Sequence, residues 1–218
     1  MNILIVSATE NEILPLVKEL GPLQDVAPNL FSAGFHHHEI DILYTGVGMT
    51  ATAFFLGKYL DDNYDLTINL GLAGSFNRDL EIGSVVNIIQ DHFAELGAED
   101  GELFKTLKEI NLAGTQEIFN EANIKNPVLE LVPKVCGITV NTVHGNERTI
   151  SNVFDRFHPN TESMEGAAFL FACEQENIPG VQLRAVSNYV EKRNKSKWNI
   201  PLAIENLNKK AIEILHAF

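Results

Sequence analysis

The feature that most constrains the fold is a repeated alternation between short apolar segments and segments with helical patterning. The first segment, Asn2–Ala8, is a continuous apolar run of strand length, typical of a sheet that is buried on both faces. Further strands are predicted at Leu23–Ala27, Leu30–Ala33, Ile40–Tyr44, Leu66–Leu70, Val85–Gln90, Val128–Leu131, Val135–Val143 and Val181–Val186. The alternation predicts an α/β fold: a single domain over residues 1–218, with a central mixed, largely parallel sheet flanked by helices.

Helical segments separate these strands. Thr9 precedes a predicted helix from Glu10 to about Leu20, and the Thr9-x-x-Glu12 spacing is that of a capping box. This capping role alone would explain Glu12. Other helices are predicted at Met164–Glu176 and Ile200–His216, and in segments that end near Leu60 and Phe157. Segment 91–126 has the weakest pattern, and two short helices are predicted there, at Leu103–Lys108 and Thr115–Glu121.

Composition excludes several classes of function. The 218 residues carry a net charge of −13, which argues against a nucleic-acid surface, because phosphate backbones require clustered Lys and Arg. No apolar run approaches membrane-spanning length, and Met1 leads directly into a strand without a secretory signal. Cys136 and Cys173 have no metal-ligand spacing and are expected to be buried, reduced thiols. We therefore expect a soluble cytoplasmic protein.

Residues 161–188 place several polar side chains where an α/β sheet usually presents its site. Glu165 lies at the start of the predicted helix, where the helix dipole favours acids. Arg184 interrupts an otherwise apolar strand, and Ser187 and Asn188 follow at the carboxyl end of that strand. A carboxylate, a guanidinium and a carboxamide are thus predicted to converge on one edge of the sheet.

Two glycine-rich turns also follow strands. Gly46-Val-Gly48-Met-Thr-Ala51 fits the dinucleotide fingerprint, but the next strand, Leu66–Leu70, does not end in the acidic residue that a ribose requires. We interpret this turn, and Gly71-Leu-Ala-Gly74, as places where the backbone approaches a ligand closely, and we do not predict NAD.

His36, His37 and His38 are consecutive, and neighbours on an extended chain face opposite ways. A loop tip is therefore expected here, and no metal site is predicted.

Five motifs in fixed order resemble the nucleoside phosphorylase/nucleosidase superfamily over nearly the whole chain: ILIVSATENE, TGVGMTAT, INLGLAGSFNRDLEIGSVV, ESMEG and RAVSN. Within it the chain is similar to the methylthioadenosine/adenosylhomocysteine nucleosidases, and most of all to the futalosine hydrolases, through SNYVEKRNKSKWNIPLA. The resemblance implies hydrolysis of the bond between a ribose and a purine, without a metal or organic cofactor, by a homodimer or larger homo-oligomer.

The resemblance also implies roles for individual residues. Glu12 matches the carboxylate that activates water, and Glu165 the one that holds the ribose hydroxyls. Arg184 matches a cation that orients water and carboxylate, although a structural salt bridge to Glu165 would explain it as well. Met164, Ala73, Gly74 and Ser187 are expected to line the substrate site.

Asn188 departs from the adenine-releasing nucleosidases, which carry an aspartate at this position. A carboxamide offers one donor and one acceptor, so it suits a 6-oxopurine, whereas a carboxylate would face O6 acceptor to acceptor. The resemblance therefore implies hypoxanthine as the leaving base and futalosine as the substrate, in menaquinone biosynthesis.

Trp198 lies ten residues after Asn188, where related nucleosidases place an aromatic side chain over the base. It could equally anchor the last helix. Arg193, Lys195 and Lys197 are candidates to bind the benzoate tail of futalosine, but a solvated face explains them equally well.

Three alternatives remain at this stage: a methylthioadenosine/adenosylhomocysteine nucleosidase, a 6-oxopurine nucleoside phosphorylase, and a nucleoside-binding module without activity. Phosphorolysis requires several cations around phosphate, yet the segment after the first strand offers Glu10 and Glu12 and only Lys18. A binding module would not require a water-activating base, so the two glutamates Glu12 and Glu165 favour an enzyme.

Overall fold

The computed structural model describes residues 1–120 and 123–218. Its strands are β1 Asn2–Ser7, β2 Gln24–Ala27, β3 Leu30–Phe35, β4 His38–Tyr44, β5 Leu66–Ser75, β6 Val85–Phe93, β7 Gly97–Asp100, β8 Leu103–Thr106, β9 Glu117–Phe119, β10 Lys134–Thr139, β11 Thr161–Ser163 and β12 Gly180–Tyr189. Its helices are α1 Glu10–Leu20, α2 Met49–Tyr59, α3 Pro127–Glu130, α4 Glu147–Phe157, α5 Gly166–Glu176 and α6 Ile200–His216, with a 3₁₀ turn at Lys195–Lys197. None of the described helices is long and apolar enough to cross a membrane.

Ten strands form one mixed sheet in the order β11-β10-β6-β12-β5-β1-β4-β3-β2, with β9 beside β6. Parallel pairings join β4, β1, β5 and β12 in the centre, and antiparallel pairings join β12 to β6 and add the β2–β3 hairpin. The strand β11 pairs with β10 on one side and with the end of β5 on the other. The strands β5, β12, β6, β10 and β11 therefore close into a ring. The predicted α/β class and mixed sheet are confirmed.

The sheet is buried on both faces. Side chains of β1 alternate between two apolar clusters: Ile3 and Ile5 pack in the cluster that includes α1 and α6, while Leu4 and Val6 pack in the cluster that includes α2 and α5. All four are fully buried. This arrangement explains why the first strand is a continuous apolar run, as a strand between two helical layers requires.

The errors of sequence analysis lie in the weakly patterned segment 91–126 and directly after it. Val128–Leu131, predicted as a strand, lies mostly in α3, because Asn126 caps the backbone N–H groups of Val128 and Leu129 and Pro127 suits a first helical turn. Leu103–Lys108, predicted as a helix, contains β8, which pairs with β7. Thr115–Glu121, also predicted as a helix, contains β9; Glu121 lies outside the described residues.

The three consecutive histidines lie at the β3–β4 connection. His36 and His37 form the turn, as predicted, while His38 begins β4 and is 3% exposed. Burial lowers the pKa of His38, with smaller contributions from the neighbouring positive charges. The tip thus comprises the first two histidines, and the third is a buried strand residue.

Candidate active site

The carboxyl ends of β1, β5 and β12 meet at one edge of the sheet and surround a cavity of about 680 Å³. The start of α1 and the segment between β11 and α5 form part of its wall. Every predicted site residue except Arg184 lines this cavity: Glu12, Ala73, Gly74, Met164, Glu165, Ser187, Asn188 and Trp198. Residues from both ends of the sequence thus meet at the predicted edge of the sheet.

Glu12 both caps α1 and faces the cavity. The N–H and Oγ1 of Thr9 donate to Glu12 Oε2 at 3.0 and 2.9 Å, so the predicted capping box is confirmed. Glu12 Oε1 accepts the backbone N–H of Leu72 at 3.3 Å. Since a carboxylate oxygen accepts two hydrogen bonds, Oε1 retains a lone pair for a water molecule. Capping therefore fixes the carboxylate in place and leaves it able to act as a base.

Glu165 lies at the N-terminal boundary of α5 and is 9% exposed. The backbone N–H of Gly48 donates to Glu165 Oε1 at 2.9 Å. Burial raises the pKa of Glu165, the Arg184 charge and the Gly48 N–H oppose this rise, and the nearby Glu12 carboxylate adds to it. The glycine turn that sequence analysis assigned to a ligand thus holds a carboxylate of the site, while its central residue, Val47, lines the cavity. Gly48 has a φ of 100°, which favours glycine.

Arg184 is buried in β12, 1% exposed, and does not line the cavity. Its Nη2 donates to Asn69 Oδ1, and its Nη1 donates to the Leu183 carbonyl at 3.2 Å. The salt bridge to Glu165 offered as an alternative is not present, because Arg184 has no carboxylate within 4.0 Å among the described residues. Burial lowers the pKa of Arg184, and the charges of Glu165 and Glu12 oppose this effect. The guanidinium therefore makes no ion pair with Glu12 or Glu165, and its role in orienting water and carboxylate stays a prediction.

Gly71 lies between the Arg184 guanidinium and the Glu12 carboxylate. A Cβ atom at Gly71 would lie 2.9 Å from Arg184 Nη1 and 3.5 Å from Glu12 Oε1. The absence of a side chain therefore leaves the cation and the carboxylate facing the same small space.

A β-bulge lies in the part of β12 that lines the cavity. Val186 pairs with Ala73 and Asn188 pairs with Gly74, so Ser187 is the extra residue. Both Ser187 and Asn188 line the cavity. Ser187 Oγ donates to Asn188 Oδ1 at 2.8 Å, and Asn188 Nδ2 donates to the Tyr189 carbonyl at 3.0 Å. The amide retains one N–H and one lone pair, which is the donor and acceptor pair that sequence analysis assigned to it.

The segment after β12 forms one rim of the cavity. Trp198 lies just before the Asn199 cap of α6 and also lines the cavity, so its two predicted roles are compatible. The Arg193 guanidinium lies 5.4 Å from the Trp198 ring centroid and lines the same cavity. Lys197 binds Glu191 at 2.7 Å instead, and Lys195 does not line the cavity. Of the three tail candidates, Arg193 lines the cavity and Lys195 and Lys197 do not.

Sequence analysis missed one pair of residues in the site, His144 and Glu162. Both line the cavity, and the carboxylate of Glu162 binds the backbone N–H and ring Nδ1 of His144 at 3.0 and 2.7 Å. The available signals were a polar His-Gly-Asn sequence after a predicted strand and an acid at the start of ESMEG. Neither signal indicates that the two residues meet, because this requires β11 to lie beside β10.

The fold and the cavity define a class of protein that comparisons with known proteins also identify. The family profile described as "Phosphorylase superfamily" matches residues 2–218. The structure aligns with that of a futalosine hydrolase from Helicobacter pylori with a TM-score of 0.83 at 16% identity, covering 100% of this chain and 98% of the other. The chain therefore belongs to the phosphorylase superfamily.

Curated relatives narrow the family further. A futalosine hydrolase from Acidothermus cellulolyticus is 32% identical over 185 residues, which cover 79% of this chain and 73% of the relative. An aminodeoxyfutalosine nucleosidase from Helicobacter pylori is 28% identical over 200 residues, which cover 84% of each chain. Within the superfamily, the chain belongs to the futalosine hydrolase family.

Proposed function

We propose that this protein hydrolyses the N-ribosidic bond of futalosine and releases hypoxanthine and dehypoxanthinylfutalosine, a step of menaquinone biosynthesis. The observation that carries this proposal is the Asn188 amide at the base of a cavity that also contains Glu12 and Glu165. Membership of the futalosine hydrolase family supports it.

The mechanism assigns one task to each of these residues. Breaking an N-ribosidic bond passes through an oxocarbenium-like state, which a nearby carboxylate stabilises and a water molecule traps. Glu12, held by Thr9 and Leu72, takes a proton from that water through its free lone pair. Glu165, held by Gly48 at one oxygen, accepts the ribose hydroxyls at the other.

Base recognition falls to Asn188. Its remaining N–H donates to O6 of hypoxanthine, and its remaining lone pair accepts from a ring N–H. A site that pairs its polar groups with one base discriminates strongly against a base that leaves them unpaired.

Two other activities are compatible with the superfamily. An aminodeoxyfutalosine or methylthioadenosine nucleosidase would share the water-activating glutamate but would release adenine. A phosphorylase would bind phosphate where Glu12 lies, and this carboxylate, which accepts hydrogen bonds only, repels phosphate.

The experiment that separates these activities measures release of free base from futalosine, aminodeoxyfutalosine, methylthioadenosine and inosine, with and without phosphate. We expect rapid, phosphate-independent release of hypoxanthine from futalosine. Preferential adenine release would overturn the substrate, and a requirement for phosphate would overturn hydrolysis. No release from any substrate would instead favour a binding module.

We further propose that the protein acts in the cytoplasm as a homodimer or larger homo-oligomer. Light scattering of the purified protein tests the assembly.

A further inference from the structure

We propose that His144, held by Glu162, is the proton donor to the leaving base. This inference rests on the proposed nucleosidase function and adds to it a residue for which neither the sequence nor the mechanism above has a role.

The pair has the geometry of an oriented acid. Glu162 Oε1 accepts the backbone N–H of His144 at 3.0 Å, and Oε2 lies 2.7 Å from ring Nδ1. The two contacts fix both the ring and its tautomer, because Nδ1 must carry a proton to bind a carboxylate. The ring nitrogen left for a ligand is Nε2, which has no hydrogen-bond partner in the described part of the chain. His144 is also the one histidine among the described residues that line the cavity.

Among the described residues, Glu162 has one ionic partner, the ring of His144. The Glu162 side chain is 4% exposed, and a carboxylate so deeply buried requires a compensating cation. Within residues 1–120 and 123–218, Glu162 has no Lys or Arg within 4.0 Å, so His144 is its one ionic partner. Since Nδ1–H binds the carboxylate, the proton that the ring can pass to a ligand is one carried on Nε2.

The pair lies beside the group that recognises the base. Gly74 of β5 is opposite Glu162 on one side and opposite Asn188 on the other. A Cβ atom at Gly74 would lie 3.6 Å from Glu162 Cγ and 3.3 Å from Asn188 Nδ2. The His144–Glu162 pair and the Asn188 amide therefore border the same small part of the cavity.

The chemistry explains why the site requires such a group. When the bond between C1′ and the base nitrogen breaks, the base keeps the electron pair and becomes an anion unless it receives a proton. Asn188 can form hydrogen bonds to this base, but a carboxamide does not give up a proton. In the proposed step, Glu12 takes one proton from water, the hydroxide oxygen bonds to C1′, and His144 Nε2–H passes its proton to the departing purine. Solvent then restores both residues.

Other charged groups face His144 from the surrounding elements. Arg193 and Glu191 share its cavity from the segment after β12, and a Cβ atom at Gly145 would lie 3.7 Å from Arg193 Cβ. A neighbouring cavity on the outer side of His144 is lined by charged residues that include Glu95, Glu99, Glu102, Arg148 and Arg156. Acids and bases are mixed on this side, so Glu162 dominates by its contact and burial.

The test compares two leaving groups in the His144→Gln variant. Futalosine releases a base that requires a proton, whereas a p-nitrophenyl riboside releases a phenolate that does not. We expect the variant to lose at least about 100-fold in kcat/KM on futalosine but less than about threefold on the p-nitrophenyl riboside. Equal losses on both substrates would overturn proton donation and leave only a positioning role.

A pH profile gives an independent measurement on futalosine alone. A required general acid gives kcat/KM a limb that falls as pH rises. This limb should be present in the wild type and disappear in His144→Gln. An unchanged fall of kcat/KM at high pH in His144→Gln would overturn the proposal. This test uses futalosine alone, so it holds even when the wild type does not cleave the p-nitrophenyl riboside.

His92 offers a matched control, because its Nε2 lies 3.8 Å from Glu117 Oε1 but it does not line the cavity. His92→Gln should change neither the leaving-group dependence nor the basic limb. If the wild type releases a base from another nucleoside and not from futalosine, the proposed substrate is wrong, and that nucleoside replaces futalosine in the same test. The proposals on substrate and on His144 are thus tested separately.

Discussion

Asn188→Asp tests base recognition most directly, because it replaces one NH₂ group by an oxygen. In the structure, Ser187 Oγ donates to Oδ1 and Nδ2 donates to the Tyr189 carbonyl. The aspartate retains the first contact and loses the second. It also loses the N–H that would face O6 of hypoxanthine and presents an acceptor to an acceptor.

The expected magnitude follows from the number of hydrogen bonds lost to the substrate, which is one. A buried acceptor left unpaired costs about 1–3 kcal/mol, which corresponds to a decrease of about 5- to 150-fold in kcat/KM for futalosine. A 6-amino base would instead gain an acceptor. The preference between the two bases should therefore shift toward 6-amino substrates by at least this factor.

The assay measures hypoxanthine release from futalosine and adenine release from aminodeoxyfutalosine in the same preparation. Asn206→Asp is the control: Asn206 Nδ2 donates to the Gly83 carbonyl at 2.8 Å, outside the cavity, so this variant loses a similar bond in the fold. It should leave base preference unchanged. A base preference in Asn188→Asp within about threefold of the wild type would refute the role of the amide, because one hydrogen bond is worth more than that.

Three further predictions follow from the geometry of the site and of the closed ring of strands. Glu12→Gln should lower kcat at least about 100-fold while the dissociation constant of the substrate changes little. Glu10 is exposed, and Glu10→Gln should retain activity. Wild-type turnover in Glu12→Gln would exclude Glu12 as the general base. Gly71→Ala should lower the free energy of unfolding by about 1–3 kcal/mol and lower kcat, because its Cβ would lie 2.9 Å from the buried Arg184 guanidinium. Gly34→Ala, with no atom from another part of the described chain within 4 Å of its Cβ, should do neither. Equal effects of the two variants would contradict this explanation. Burial raises the pKa of Asp91 to about 7, so its contribution to the free energy of unfolding is present at low pH and is lost as pH rises from about 4 to about 7. Urea unfolding should therefore show a free energy of unfolding that falls with pH in this range, by at most about 1.4 kcal/mol per pH unit. Asp91→Asn should remove this dependence, and the same dependence in both proteins would assign it to other groups.

Elements with strong local signals were predictable from the sequence. The helix Glu10–Leu20 has its capping box, and the helix Ile200–His216 has its apolar stripe, and both are found with the predicted bounds. Segment 91–126 was not predictable, because its short strands are defined by pairing, β7 with β8 in a local hairpin and β9 with β6, and not by a strong sequence pattern. The strand prediction at Val128–Leu131 was wrong for a different reason. The Asn126 cap and Pro127 in the first helical turn outweigh the strand preference of the valine.

In the candidate site too, residues with a local sequence signal were predictable, and contacts that depend on the packing of distant segments were not. Glu12, Glu165 and Asn188 were found because each lies in a motif at the end of a strand or the start of a helix. The position of Arg184 on a strand was predictable, but its distance from the carboxylates was not, because it depends on the packing around Asn69. The His144–Glu162 contact joins two segments that approach only when β11 closes the ring, and no local pattern encodes that approach.

The closed ring also limits where strands of other molecules can add to the sheet. An open sheet exposes unpaired N–H and C=O groups along its outer strands, and these attract strands of other molecules and promote aggregation. Here β11, which stands at one end of the strand order, is hydrogen-bonded on both sides. In the described part of the chain, the opposite end is β2, only four residues long, with the exposed charge of Asp25 and followed by Pro28. One end of the strand order is therefore sealed and the other is short and charged, so strand addition is opposed at these two ends.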